Sequence, residues 1–229
     1  MTNPIVTNWS ENPAHPPFVT VAVSLLCVFA FLVYARLSPV LQQVMIEVVG
    51  VRPAALASLL DRGFSEWWDL SALTVFTSLF IHASWLHLAG NLVYLWVFGI
   101  KVEQRLGLVG LSAVFLLGGA LSNVIVALRV PQLQTPIIGA SGAISAVVGA
   151  YLGLFPRRRI GLFLPLGVYL QFARVPALLV IGSWFTLQLL YTAFGPINAA
   201  VAWWTHLAGF ALGLSFALLT RALNQIRLQ

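Results

Sequence analysis

Four polar side chains carry the chemistry this sequence has to offer: Ser141, His206, His87 and Asn91. Ser141 opens the apolar run "SGAISAVVGAYLGLF", with Gly139 and Gly142 close on either side and three arginines, Arg157 to Arg159, beyond its far end. Packing alone would account for the glycines, because small residues let membrane helices approach closely. A hydroxyl at a helix start is also where a nucleophile would be placed, since the first N–H groups of a helix have no partner within it. The other residues limit which chemistry that hydroxyl could do.

The acidic residues are Glu11, Glu47, Asp61, Glu66, Asp69 and Glu103, and none falls in the middle of an apolar run. An intramembrane carboxylate dyad is therefore excluded. So is a Ser-His-Asp triad, unless a loop residue reaches in. A proton-coupled pump would use Asp or Glu along its path. No H-E-x-x-H is present, and His82 and His87 are five apart, about 140° around a helix, so zinc is disfavoured. The single cysteine, Cys27, makes neither a disulfide framework nor a metal cluster, and no cofactor is expected. The G-x-S-x-G elbow of soluble hydrolases fails at Ala143. What remains is a serine activated by a histidine alone.

The elements that position these groups follow from composition. With 60% hydrophobic and 8% charged residues, and a mean hydropathy of +0.94, a soluble fold would have a mostly apolar surface. The chain reads as an all-α integral membrane protein. A bilayer core takes about 20 apolar residues per helix. Spans are expected at Phe18–Ala35, Trp85–Ile100, Leu106–Leu128, Ser141–Phe155, Pro176–Phe194 and Val201–Thr220. Arg36 to Asp69 reads as a loop with short amphipathic helices at the interface. Ile160–Ala173 is too short to span and reads as interfacial. The organisation expected is a polar N-terminus over 1–17, a six-helix domain over 18–220 and a short tail over 221–229. Met1 to Pro17 is polar and lacks Lys and Arg, unlike a cleavable signal peptide.

Six spans put both termini on one side. Lys101, Arg105, Arg157, Arg158, Arg159, Arg174, Arg221 and Arg227 share that side, against Arg36, Arg52, Arg62 and Arg129 on the other. This excess makes the termini cytoplasmic by the positive-inside rule, and the charge marks topology rather than nucleic-acid binding. Ser141, His206 and His87 then sit sixteen, fifteen and fourteen residues from Arg157, Arg221 and Lys101. At 1.5 Å per residue they share one level, roughly 21–24 Å above the cytoplasmic face of a core about 30 Å thick. Asn91 lies one turn below His87 on the same face. Polar groups at such depth pair with each other or line a wet cavity. Ser141, Ser145 and Gly149 repeat every four residues, while His206, Gly209 and Gly213 repeat at three and four. Two such smooth faces are expected to pack closely and bring Ser141 within reach of His206.

With these residues in place, the chain resembles the rhomboid family of intramembrane serine proteases. "GASG" (Gly139–Gly142) is similar to that family's G-x-S-G, "HLAGN" (His87–Asn91) to its H-x-x-x-N and "HLAGFALG" (His206–Gly213) to its H-x-x-G-x-x-x-G. "VEQRLG" (Val102–Gly107) resembles the E-x-R segment after the second helix, and the likeness covers roughly Ser71 to Thr220. The resemblance implies a polytopic six-transmembrane-helix bundle with Ser141 as nucleophile and His206 as general base, then acid. It implies an oxyanion held by the Ser141 N–H, His87 and Asn91, with Gly139, Gly142, Gly209 and Gly213 as structural glycines. It further implies an inner-membrane endopeptidase acting on transmembrane protein substrates from the lipid bilayer, its site open to the non-cytoplasmic side.

The sequence departs from the family pattern twice. A first-loop Trp-Arg pair is replaced by Leu73-Thr74, and an aromatic four residues after the serine is replaced by Ser145. Trp203, Trp204 and Tyr151 are candidates to orient His206 in its place. A non-catalytic relative that binds transmembrane clients would lack the serine or the histidine. A transporter or channel would want a charge lining its path.

Overall fold

A computed structural model describes residues 16–62, 70–166, 169–194 and 197–226. The expected N-terminal segment therefore lies mostly outside the described residues, as do the last three residues of the tail and the part of the first loop holding Trp67 and Trp68. The helices are α1 (Phe18–Arg36), α2 (Pro39–Val49), α3 (Pro53–Arg62), α4 (Leu70–Thr77), α5 (Trp85–Tyr94), α6 (Ile100–Arg129), α7 (Ser141–Leu154), α8 (Ala177–Phe194) and α9 (Ile197–Ile226). A 3₁₀ turn, Ser78–Phe80, follows α4, and a π-helical turn, Leu95–Gly99, joins α5 to α6. Among the described residues, Phe18–Arg36, Trp85–Arg129 and Trp203–Leu223 are long and apolar enough to cross a membrane, and Ser141–Leu154 and Ala177–Leu187 are shorter apolar helical stretches.

The helices are inside-out relative to a soluble protein. On α1, Thr20, Ser24, Cys27, Phe31 and Tyr34 are buried while Leu25, Leu26, Phe29, Leu32 and Val33 are exposed. The polar atoms on the inner face are satisfied: the Ser24 hydroxyl donates to the Thr20 carbonyl at 2.7 Å and accepts from the Trp96 indole at 2.9 Å. In lipid, apolar side chains outside cost nothing, and backbone groups must be paired internally. This is a multi-pass membrane protein.

The 45-residue stretch Trp85–Arg129 is two spans rather than one, because Gly107 breaks it with φ 75°. Only glycine adopts that backbone readily. Neighbour contacts show the reversal. His87 lies against Gly139 and Ser122 against Gly142, both at the start of α7, whereas Phe98 packs on Tyr151 near its end. The expected turn between the second and third spans is thus helical up to Leu106, with one residue making the break.

Helix α7 is the central element, with Gly142 to Tyr151 buried on every side. It runs parallel to α9: Gly142 meets Thr205 and Gly209, Ala146 meets Gly213, and Gly153 meets Ala217. Arg221 closes that register by donating to the Gly153 carbonyl at 2.7 Å.

Two regions show local structure that the sequence reading did not specify. Ile160–Ala173 lies in an antiparallel hairpin, β1 (Arg159–Leu166) with β2 (Tyr169–Pro176), in which Arg159 pairs with Pro176 and Leu166 with Tyr169. Pro165 breaks a helical ladder yet is tolerated in an edge strand. The first loop, lacking the Trp-Arg pair, is tied down through its backbone. Val51 and Ile137 exchange N–H···O bonds of 2.9 and 2.7 Å, and the Ala54 N–H donates to Leu133 at 3.0 Å.

Candidate active site

The site begins with backbone geometry at the mouth of α7. Gly139 has φ +117°, a conformation that L side chains rarely adopt, and its N–H donates to the Ser78 carbonyl at 2.9 Å. A Cβ at Gly139 would sit 2.6–2.7 Å from Cε1 and Nε2 of His87, so that imidazole lies directly over the glycine. Ser141 is the first residue of α7, and its N–H belongs to the turn whose donors lack intrahelical acceptors. That helix end also carries partial positive charge.

Glycines set the approach of the partner helix. A methyl group on Gly209 would overlap the Gly142 carbonyl, and one on Gly213 would overlap the Ala146 carbonyl. A methyl on Gly142 would strike Ser122 Oγ and Thr205 Cγ2 at 2.5–2.6 Å. The two smooth faces read from the sequence thus meet, and they do so at the turns holding Ser141 and His206.

Between them lies a cavity of about 340 Å³ whose walls include Ser141, His206, His87, Asn91, Tyr94 and Trp184. The four candidate polar residues converge there, with Ser141, His206 and His87 half-buried and Asn91 buried. Asn91 donates one amide N–H to the His87 carbonyl at 2.9 Å, which leaves its second N–H for another acceptor. Ser145 spends its hydroxyl on the Ser141 carbonyl at 2.7 Å. Among the described residues, no group of three or more His, Cys, Asp or Glu converges to hold a metal ion.

The imidazole of His206 is flanked by rings. Trp203 meets it edge-on with centroids 5.4 Å apart, and Trp184 of α8 lies at 6.3 Å with a 33° tilt. Aromatic pairs at such separations gain about 0.5–1.5 kcal/mol beyond area burial. Of the other sequence candidates, Trp204 instead takes the Arg129 guanidinium at 4.7 Å, and Tyr151 packs with Phe98 and Phe155.

The partners of two further residues, His82 and Glu103 of the E-x-R segment, were not signalled by the sequence. His82 is fully buried, 5.0 Å from the His87 ring, and its Nε2 makes a long 3.5 Å contact with the Ala140 N–H. A neutral imidazole has one acceptor nitrogen, and here it is the one facing the Ala140 N–H. Its Nδ1 then donates to the Phe80 carbonyl at 3.3 Å. His82 therefore braces the residue before the serine. Glu103, also fully buried, accepts from the N–H groups of Val19 and Thr20 at 2.8 and 2.9 Å and from the Thr20 hydroxyl at 2.8 Å. It caps α1 from another helix, in place of the side-chain cap that Pro17 lacks.

Comparison with known proteins gives one consistent family. Residues 65–223 match the family described as Rhomboid domain. "Rhomboid protein 1, mitochondrial" of Saccharomyces cerevisiae is 28% identical over 156 residues, which cover 64% of this chain and 41% of that protein. "Rhomboid-like protein 11, chloroplastic" of Arabidopsis thaliana is 35% identical over 85 residues, 37% of this chain and 28% of that protein. "Presenilin-associated rhomboid-like protein, mitochondrial" of Homo sapiens is 36% identical over 94 residues, 39% of this chain and 24% of that protein. The chain thus spans less than half the length of these relatives.

Proposed function

The chain belongs to the rhomboid family, and from that premise we propose that it is an intramembrane serine endopeptidase working through a Ser141–His206 dyad. The observation that carries the reading is the convergence of Ser141, His206, His87 and Asn91 on one cavity at the glycine-packed start of α7. His206 would take the Ser141 proton as the hydroxyl attacks a peptide carbonyl, then deliver it to the leaving amine. The Ser141 N–H, His87 and the free amide hydrogen of Asn91 would stabilise the oxyanion as charge develops. Gly139 leaves room for the His87 ring, and Gly142, Gly209 and Gly213 let the α7 and α9 backbones touch beside the nucleophile and the base. Transmembrane protein substrates reaching the cavity from the bilayer fit this reading. So do cytoplasmic termini in an inner membrane, a site open to the other face, and a catalytic unit over 18–220.

The non-catalytic alternative, a rhomboid-like protein that binds transmembrane clients, explains membrane burial but gives no role to a serine and a histidine in one cavity. Cleavage of a reporter transmembrane substrate by the purified protein, compared with Ser141→Ala and His206→Ala, separates the two. Loss of cleavage in both variants at unchanged thermal stability is expected. Wild-type turnover in Ser141→Ala would end the protease reading.

A further inference from the structure

The His206 imidazole touches two indoles that are attached differently. Trp203 stands three residues before it on α9, so the pair moves as one unit. Trp184 comes from α8, and its contact with His206 therefore depends on where that helix sits. Helix α8 presents one inward stripe, Ala177, Ile181, Trp184 and Phe185, and leaves Leu178, Leu179, Leu187 and Leu190 exposed. On that stripe Trp184 is the residue that reaches the cavity. Its ring lies 6.3 Å from three others: His206 and Phe210 of α9, and Tyr94 of α5. Tyr94 is one turn beyond Asn91 on the same helix. One indole thus joins the proposed base, its helix and the helix bearing the proposed oxyanion groups.

We propose that Trp184 is a positioning residue for His206, holding the imidazole from α8 so that base and oxyanion groups keep their register across the cavity. The proposal rests on the dyad reading. The imidazole lines the cavity, and the rotamer it takes decides which way its ring nitrogens face. Trp203 limits that choice from within α9, and the Ser145 side chain, bonded to the Ser141 carbonyl, adds no ring. Trp184 supplies the second wall. A base displaced by 1 Å costs about 100-fold in rate.

The test compares Trp184→Ala, Trp184→Leu and Trp184→Phe in two assays: cleavage of a transmembrane reporter, and the rate at which a small fluorophosphonate labels Ser141. The small probe needs no transmembrane helix to be accommodated, so it reads the dyad alone. Trp184→Ala and Trp184→Leu are expected to lower both kcat and the labelling rate by about 10-fold to 100-fold, with KM changing less. Trp184→Phe, which keeps a flat ring, should restore most of both. Thermal melts guard against unfolding, and Trp184→Leu retains bulk where Trp184→Ala is unstable. A wild-type labelling rate in Trp184→Leu, with only KM altered, would make Trp184 a wall residue and overturn the proposal. A wild-type protein that neither cleaves nor is labelled would instead remove the dyad premise, and the proposal with it.

Discussion

Along α7 and α9 two backbones meet through glycine, whereas α8 meets the same α9 through rings. In the first seam the Gly142 and Ala146 carbonyls lie against Gly209 and Gly213, and Gly149 lies against the Phe210 carbonyl, with no side chain between. In the second, Phe185 stacks on Phe210 at 4.8 Å and Trp184 on His206 and Phe210 at 6.3 Å. Backbone atoms have no rotamers to exchange, so the first seam has one register. Side chains re-pack among staggered states, so the second tolerates adjustment. Ser141 and His206, the proposed dyad, sit on the stiff seam. The wall facing the lipid is on the adjustable one.

The comparison breaks most visibly at Gly209. Gly209→Val puts branched bulk into the Gly142 carbonyl, at a cost of about 1–3 kcal/mol for overpacking and about 100-fold in rate per ångström of displacement. It should abolish cleavage and lower Tm together, with Gly209→Ala intermediate in both; a stable, active valine variant would show that the seam is not stiff there. Asn91→Ala leaves the seam intact and should lower kcat by roughly 10-fold to 1,000-fold with little change in Tm or KM. Equal weakening of binding to an uncleavable substrate would mark Asn91 as a binding residue instead. A third region sharpens the contrast, since α1 is held through one buried carboxylate. Glu103→Ala leaves two N–H groups and a hydroxyl without an acceptor and should cost about 1–3 kcal/mol in a denaturant or thermal assay, with a smaller effect on kcat. At the other extreme, Leu187→Ala on the exposed face of α8 should stay within about 0.5 kcal/mol of wild type in the same assay.

Much of the stiff seam was legible in the sequence, because spacing of small residues at three and four is a statement about one helix face and needs no knowledge of the rest of the fold. The convergence of Ser141, His206 and His87 on one cavity was legible for a similar reason: rise per residue turns counts from Arg157, Arg221 and Lys101 into one common level. The adjustable seam was not legible. Helix α8 is apolar all round, so periodicity does not distinguish Trp184 from a lipid-facing aromatic, and its place beside His206 depends on how α8 lies against α9. Glu103 was unreadable in a different way, since its acceptors serve residues more than eighty positions earlier in the chain. His82 could be used only to argue against a metal, as its partner is a backbone N–H. Ile160–Ala173 was read as an interfacial segment because its length excludes a span, while the pairing of Arg159–Leu166 with Tyr169–Pro176 has no polar alternation to announce it.

The central claim is that a hydroxyl at the start of α7 is made nucleophilic by an imidazole on α9. Mass spectrometry of the protein after exposure to a fluorophosphonate in detergent or nanodiscs tests it most directly. The account predicts a single covalent adduct on Ser141, formed by the wild type and absent in His206→Ala, which keeps the hydroxyl and loses only the base. A wild-type protein that stays unmodified, or a His206→Ala variant labelled at the wild-type rate, would contradict it.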